Sequence, residues 1–165
     1  MYQFKEVINQ INFFWWDKKL IKNKNWAELS KASKAVFPVI ACHCNKKGIA
    51  FPSEETISAL CGRTEKTVRE GVKGLLGFPN FKWNHYITSR GHHSKEFHLR
   101  IPNPGEKGRC FPFYKWIIES GIWQNLKPTA QALYPVMRNF AFFDIENSCG
   151  GSSLAPFYFA KALPS

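Results

Sequence analysis

The side chains best suited to specific chemistry lie in one short basic segment of the sequence. Five polar residues there can donate or accept hydrogen bonds: Lys66, Thr67, Arg69, Glu70 and Lys73. If the segment is helical, Val68, Val72 and Leu75 form a buried stripe, and the charged side chains point the other way at about 100° per residue. Such a face can reach base edges and flanking phosphates in the major groove of DNA, and we expect Arg69 to contact a guanine.

Two capping residues place this segment in a helix-turn-helix over residues 53–76. Ser53 is suited to begin the first helix, Gly62 to end it in a left-handed turn, and Thr64 to begin the second helix after that tight turn. Glu54 suits the positive end of the first helix. We expect the amides that follow Ser53 and Thr64 to bind phosphate. The alternative is an ordinary pair of antiparallel helices with a solvated charged face.

A β-hairpin is predicted directly after the helix-turn-helix. Strand-like runs span about Phe81–Ser89 and Lys95–Ile101, and the loop between them, Arg90–Ser94, contains a glycine. A hairpin that follows a recognition helix can act as a wing, which contacts phosphates or the minor groove. Four residues are therefore predicted to contact the DNA backbone: Arg90, His92, His93 and Lys95. A plain solvated hairpin is the alternative.

A longer helix is predicted before the helix-turn-helix. It begins after Ser30 and runs from Lys31 to about Cys44, with apolar residues recurring at helical spacing. Pro38 is expected to kink it, because an interior proline costs about 3 kcal/mol. Cys42 and Cys44 lie about 200° apart on a helix and cannot both face one ion unless the helix has already ended. We therefore expect no zinc site at this Cys-His-Cys sequence.

Two glycines inside the predicted recognition helix need a physical reason, because each costs about 1 kcal/mol relative to alanine in a helix. Gly71 falls at a position where a small residue is usual, against the preceding helix. Gly74 has no such reason in the sequence.

An internal repeat relates the two halves of the sequence. Residues 14–40 align with residues 111–137 at a constant offset of 97, without gaps. Eight residues are identical in the two copies: Phe14, Lys18, Ile21, Trp26, Leu29, Ala35, Pro38 and Val39 recur as Phe111, Lys115, Ile118, Trp123, Leu126, Ala132, Pro135 and Val136. The second copy is expected to lack a helix-turn-helix, because Asp144–Ser153 is loop-like. We predict a winged helix-turn-helix domain at 1–101, a linker at 102–108 and an incomplete second region at 109–165.

Composition favours a packed protein with a polyanionic partner. The 165 residues are 44% hydrophobic and 16% aromatic, which supports a core. The net charge of +11 and the pI near 9.6 indicate nucleic acid first and an anionic membrane surface second. No apolar run approaches the roughly 20 residues of a membrane span. Five scattered cysteines favour free thiols in a reducing cytoplasm.

The sequence offers no constellation typical of an enzyme. It contains no GxxxxGK[ST] phosphate loop and no His-x-His pair with a tyrosine nucleophile. We therefore expect no catalytic residues, no metal and no cofactor. The aromatic runs Phe13–Trp16 and Phe157–Phe159 suit stacking on single-stranded bases, although large aromatic side chains are more often buried in a core.

Four motifs follow one another between Trp26 and the hairpin: W-x-x-L-S, F-P-V-I, F-P-S-x-E-T-I and C-G-R-T-x-x-T-V. In this order the segment Trp26–Ile101 resembles the winged helix-turn-helix proteins of bacterial plasmids and phages, which include replication initiators, replisome-organiser-like proteins and related regulators. The resemblance implies sequence-specific binding of duplex DNA in the bacterial cytoplasm, in association with the nucleoid or a plasmid. It implies a role in either the initiation of replication or the control of transcription.

The predicted fold is therefore mostly α with a small β-hairpin (α+β), a winged helix-turn-helix with a partial second copy. The expected partner is duplex DNA, and a second copy of the chain or a replication protein is a further candidate. Two other functions stay open: a protein-interaction module that docks a replisome or partition protein, and a binder of single-stranded nucleic acid.

Overall fold

The computed structural model describes residues 12–100, 102 and 109–148, with side chains as far as residue 140. These residues form helices and two small antiparallel sheets. The elements in chain order are β1 (Phe13–Asp17), α1 (Lys19–Lys22), α2 (Asn25–Glu28), α3 (Lys31–Cys42), β2 (Ile49–Ala50), α4 (Glu54–Cys61), α5 (Glu65–Gly74), β3 (Phe81–Ile87), β4 (His93–Leu99), β5 (Cys110–Tyr114), α6 (Trp116–Glu119), α7 (Ile122–Asn125) and α8 (Pro128–Ser148). Most of the predicted linker and the run Phe157–Phe159 lie outside the described residues.

The helix-turn-helix forms at the predicted caps. The Ser53 hydroxyl accepts a hydrogen bond from the Thr56 amide at 3.0 Å, and Thr64 accepts one from the Thr67 amide at 3.3 Å. Gly62 ends α4 with φ +66°, a conformation that favours glycine. The predicted stripe of α5 is buried, as Val68, Val72 and Leu75 show. Local capping and apolar spacing therefore account for the ends of α4 and α5 and for the buried face of α5.

Close packing of α5 against α3 explains both glycines of α5. A Cβ atom on Gly71 would lie 2.9 Å from the backbone carbonyl of Ala32, and one on Gly74 would collide with the Ser33 hydroxyl. Gly71 was predicted to pack against the preceding helix, α4, but it contacts α3 instead. Gly74, for which the sequence showed no packing reason, lies beside the Ser33 hydroxyl of α3. The same hydroxyl donates to the Gly71 carbonyl at 2.9 Å. Helix α3 itself ends at Cys42, two residues before the predicted end.

The three-stranded sheet has the order β2-β4-β3, and all of its pairs are antiparallel. In the hairpin, Phe81 pairs with Leu99 and Ile87 with His93. The hairpin exists as predicted, but β3 ends at Ile87 and β4 begins at His93, so the loop is residues 88–92 rather than Arg90–Ser94. Strand β2 was not predicted, because two residues carry no alternation of polar and apolar side chains.

The second region of the chain packs on the first in one hydrophobic core. Strand β1 pairs with β5, and Phe14 and Trp16 are buried against Phe111 and Phe113. The aromatic run Phe13–Trp16 thus lies in a strand, and two of its four rings belong to the core. The division of the chain at 102–108 stays a prediction, but it does not separate two cores.

Helix α8 extends further than the sequence analysis predicted. The segment Asp144–Ser153 was predicted to be a loop, but the helix continues to Ser148. The physical reason is that no glycine or proline occurs between Pro135 and Gly150, so nothing in that stretch breaks the helix.

The turn between α4 and α5 rests directly on the second region. The buried side chain of Gln131 in α8 donates to the carbonyls of Cys61 and Trp123 at 3.2 and 2.7 Å. It also accepts a hydrogen bond of 2.7 Å from Arg63 Nη2. A Cβ atom on Gly62 would collide with the backbone carbonyl of Gln124. The second region therefore supports the turn that sets the angle between α4 and α5.

Candidate nucleic-acid interface

The outer face of α5 is cationic and open to solvent. The structure exposes four of the predicted contact residues on this helix, Lys66, Arg69, Glu70 and Lys73, and leaves Thr67 half-buried. Exposure follows from the burial of Val68 and Val72 on the opposite side, which α5 turns towards α3. A helix with one buried and one basic face can lie with the basic face along a polyanion.

Two carboxylates hold the guanidinium of Arg69 in place. Its Nε donates to Glu54 Oε2 at 2.7 Å, and its Nη2 donates to Glu65 Oε2 at 3.1 Å. The hydrogen bond and charge of Glu54, followed by the charge of Glu65, raise the pKa of Arg69 above its ordinary value. The side chain is still 52% exposed. Its outer donors therefore remain accessible while its orientation is fixed, which suits contact with a base edge.

Lys95 connects the hairpin to the helix-turn-helix. Its Nζ lies 2.5 Å from Glu54 Oε1 and 5.2 Å from the centre of the Trp83 ring. The side chain is only 17% exposed, because the carboxylate and the ring cover it. The ammonium group thus fixes β4 against the start of α4. Its predicted contact with a phosphate stays a prediction.

Glu54 is the residue that joins the three elements of the site. Burial alone would raise the pKa of its carboxyl, but the hydrogen bonds from Lys95 and Arg69 outweigh that effect and lower the pKa. Sequence reasoning assigned Glu54 only to the positive end of a helix and missed this role. No local spacing could have revealed it, since its partners lie 15 and 41 positions away.

The tip of the hairpin carries the remaining predicted contacts. Arg90, His92 and His93 are all exposed, and Gly91 turns the chain with φ +78°. A cleft of about 370 Å³ separates this hairpin from the start of α4 and is lined by side chains that include Ser53, His85 and His93. Ser53 and Thr64, at the starts of α4 and α5, are exposed as well.

The Cys-His-Cys sequence at the end of α3 does not assemble a metal site. The Nδ1 atom of His43 lies 2.8 Å from the Val39 carbonyl. Burial raises the pKa of Cys42 to about 11 and that of Cys44 to about 12, so both thiols resist the deprotonation that metal binding requires. In the described part of the chain, no group of three or more metal-ligating side chains could hold an ion.

Comparison with known proteins identifies the same segment. Residues 27–76 match the family model of a helix-turn-helix domain, which covers α3, α4 and α5. No curated protein and no solved structure matches the chain. Within the described residues, none of the helices is both long enough and apolar enough to cross a membrane. The match supports a helix-turn-helix protein that binds DNA.

Proposed function

We propose that the chain binds a specific sequence in duplex DNA, with α5 in the major groove and the β3–β4 hairpin as a wing on the adjacent backbone. The observation that carries this proposal is the arrangement of Arg69, whose guanidinium is exposed and held by Glu54 on the basic face of a capped helix-turn-helix. Arg69 would read a guanine, and Lys66, Thr67, Glu70 and Lys73 would contact neighbouring bases and phosphates.

The wing would add contacts outside the recognition helix. Arg90, His92 and His93 are exposed at its tip, and the Glu54–Lys95 ion pair keeps the hairpin on the same side as α5. Net charge of +11 adds a sequence-independent attraction to phosphate. The role we assign is initiation of replication or control of transcription of a plasmid or phage, and it rests on the resemblance of Trp26–Ile101.

Fluorescence anisotropy with duplex and single-stranded DNA across a salt series tests this function, followed by selection of preferred duplexes from a random library. We expect duplex binding whose affinity falls steeply with salt, together with one enriched motif. Equal affinity for all duplexes would reduce the function to charge attraction. Lack of duplex binding even at low salt would refute it.

One observation favours a second function, docking of another protein. Leu133, Met137 and Phe140 occupy one face of α8 at helical spacing, and all three are at least half exposed. Large exposed apolar side chains in a row often mark an interaction surface. Substitution of Met137 by Lys separates the functions, since it should abolish docking of a protein and leave DNA affinity intact.

A further inference from the structure

The two halves of the chain contact each other through pairs of equivalent atoms. In the β1–β5 pair, Trp15 lies opposite Pro112. Pro112 is also the residue that corresponds to Trp15 in the repeat, at the offset of 97. Flanking the strands, the Lys18 amide donates to the Arg109 carbonyl at 2.8 Å, and the Lys115 amide donates to the Asn12 carbonyl at 2.9 Å. Lys18 and Asn12 correspond to Lys115 and Arg109 in the repeat, so each of these two hydrogen bonds is the equivalent of the other. The strand pair is therefore symmetric about its central residues.

The tryptophan side chains repeat this reciprocity outside the sheet. The Trp26 indole donates to the Ala132 carbonyl at 2.8 Å, and the Trp123 indole donates to the Ala35 carbonyl at 3.0 Å. Trp123 and Ala132 are the equivalents of Trp26 and Ala35. Each half thus inserts its tryptophan against the long helix of the other half.

The aromatic cores of the two halves also correspond ring by ring. In the first half, Trp16 lies 5.0 Å from Trp26 and 5.3 Å from Phe37, measured between ring centroids. The equivalent distances in the second half are 5.8 Å from Phe113 to Trp123 and 5.2 Å from Phe113 to Tyr134. All four contacts are edge-to-face. Two copies of one packing unit therefore meet face to face.

A contact in which residue i meets j and the equivalent of j meets the equivalent of i is the mark of a twofold interface. From these reciprocal contacts we infer that the second half occupies the place of a partner subunit, so that one chain binds DNA as a monomer at a single, non-palindromic site. The inference rests on the proposed function for its DNA target. In the free chain, the two halves form the twofold interface with each other, and this follows from their packing alone.

Only one half of this internal pair carries a recognition helix among the described residues. In the first half, Val36 and Ile40 are fully buried, and Val36 lies beneath Gly71 of α5. Their equivalents Leu133 and Met137 are 50% and 66% exposed. The surface of α3 that α5 covers in the first half is thus buried, and the equivalent surface of α8 in the second half is exposed. Dimeric helix-turn-helix proteins read palindromes because they present two recognition helices, and the described part of this chain presents one.

The test combines selection of duplexes with the mass of the complex, both on the full chain. We expect one motif without inverted symmetry, a 1:1 complex on the selected duplex, and a free chain that sediments as one 19.0 kDa unit. Two inverted half-sites about 10 bp apart, occupied by two chains, would overturn the inference. If no duplex binds, the proposed function fails, and the mass of the free chain still decides the inference.

Two sets of variants sharpen this test. Met137→Lys places a charge on the exposed surface of α8 and should leave the sedimentation of the free chain unchanged. A free dimer that this substitution converts to a monomer would contradict the inference. Trp26→Phe and Trp123→Phe each remove one of the reciprocal indole bonds, so we expect similar decreases in the urea midpoint. A decrease for Trp26→Phe alone would show that the halves are not equivalent.

Discussion

The carboxylate of Glu54 accepts a hydrogen bond of 2.7 Å from Nε of Arg69, a residue on the next helix. Its other oxygen binds Lys95 of the hairpin at 2.5 Å. One acidic side chain thus restrains Arg69, which is proposed to contact DNA, and Lys95, which holds the hairpin. A restrained arginine loses less entropy when it binds a base, and it is less available to phosphates in other positions. The ion pair of Glu54 with Arg69 therefore favours selectivity among DNA sequences over total affinity for DNA.

Glu54→Gln should weaken selectivity and strengthen binding to random DNA. The change releases Arg69 and Lys95 and removes a charge that repels phosphate. We expect preference for the selected duplex over random DNA to fall by about tenfold, within the 1–3 kcal/mol of one oriented base contact. Anisotropy on both duplexes measures it. Glu55→Gln removes the same charge from an exposed neighbour and is the matched control; identical effects of the two substitutions would assign the result to charge alone.

Arg69→Ala should lower affinity for the preferred duplex by about 1–3 kcal/mol and relax preference at one base pair. Lys73→Ala, on the same face, should weaken binding to all duplexes and reduce the salt slope by about 1 if Lys73 contacts a phosphate. Competition titrations against a panel of single-base variants distinguish the two outcomes. Equal losses on preferred and random DNA for Arg69→Ala would refute its role as a base reader.

The stabilising effect of Glu54 should disappear in acid. Hydrogen bonds lower the pKa of its carboxyl below the value of 4.5 expected in the unfolded chain. The stabilisation is therefore complete above pH 4.5 and is lost as pH falls through the lowered value. We expect urea unfolding to show Glu54→Gln less stable than wild type at pH 7. The difference in the free energy of unfolding between the two proteins should disappear as pH falls below 4.5 and through the lowered pKa. A difference that stays constant with pH would contradict this linkage.

Gly71→Ala should destabilise the fold by about 1–3 kcal/mol, because the added methyl group meets the Ala32 backbone, which cannot move aside. Gly74→Ala meets only the Ser33 hydroxyl, which can rotate, and alanine gains about 1 kcal/mol of helix propensity. We expect Gly74→Ala to lie within about 1 kcal/mol of wild type. Chemical unfolding of both variants measures the difference, and a larger loss at Gly74 would show that Ser33 is fixed.

Local signals in the sequence predicted the helix-turn-helix, because caps and apolar spacing act within a few residues. Ser53, Gly62 and Thr64 are examples, and all three lie at the predicted helix ends. Features that depend on distant partners escaped prediction. The ionic role of Glu54 depends on residues in two other elements, and the close packing at Gly74 depends on Ser33 on another helix. The spacing of polar and apolar residues within a short segment carries no information on such distant contacts.

The repeat could be aligned from the sequence, but its packing could not. An offset of 97 relates Trp26 to Trp123 without indicating whether the two halves touch. The structure adds the reciprocal bonds of their indoles to Ala132 and Ala35. The extent of α8 was also missed, since acidic and polar residues near its end are compatible with either a loop or a helix.

The contact between Gly62 and the Gln124 backbone has a consequence for how this protein can vary. The φ of +66° already favours glycine at position 62, and any side chain there would also strike α7. The two positions are thus under a joint constraint, although Gln124 belongs to no part of the proposed DNA interface. Homologues that lack the second region should accept asparagine at the turn, because asparagine tolerates this conformation, and those that keep it should retain glycine.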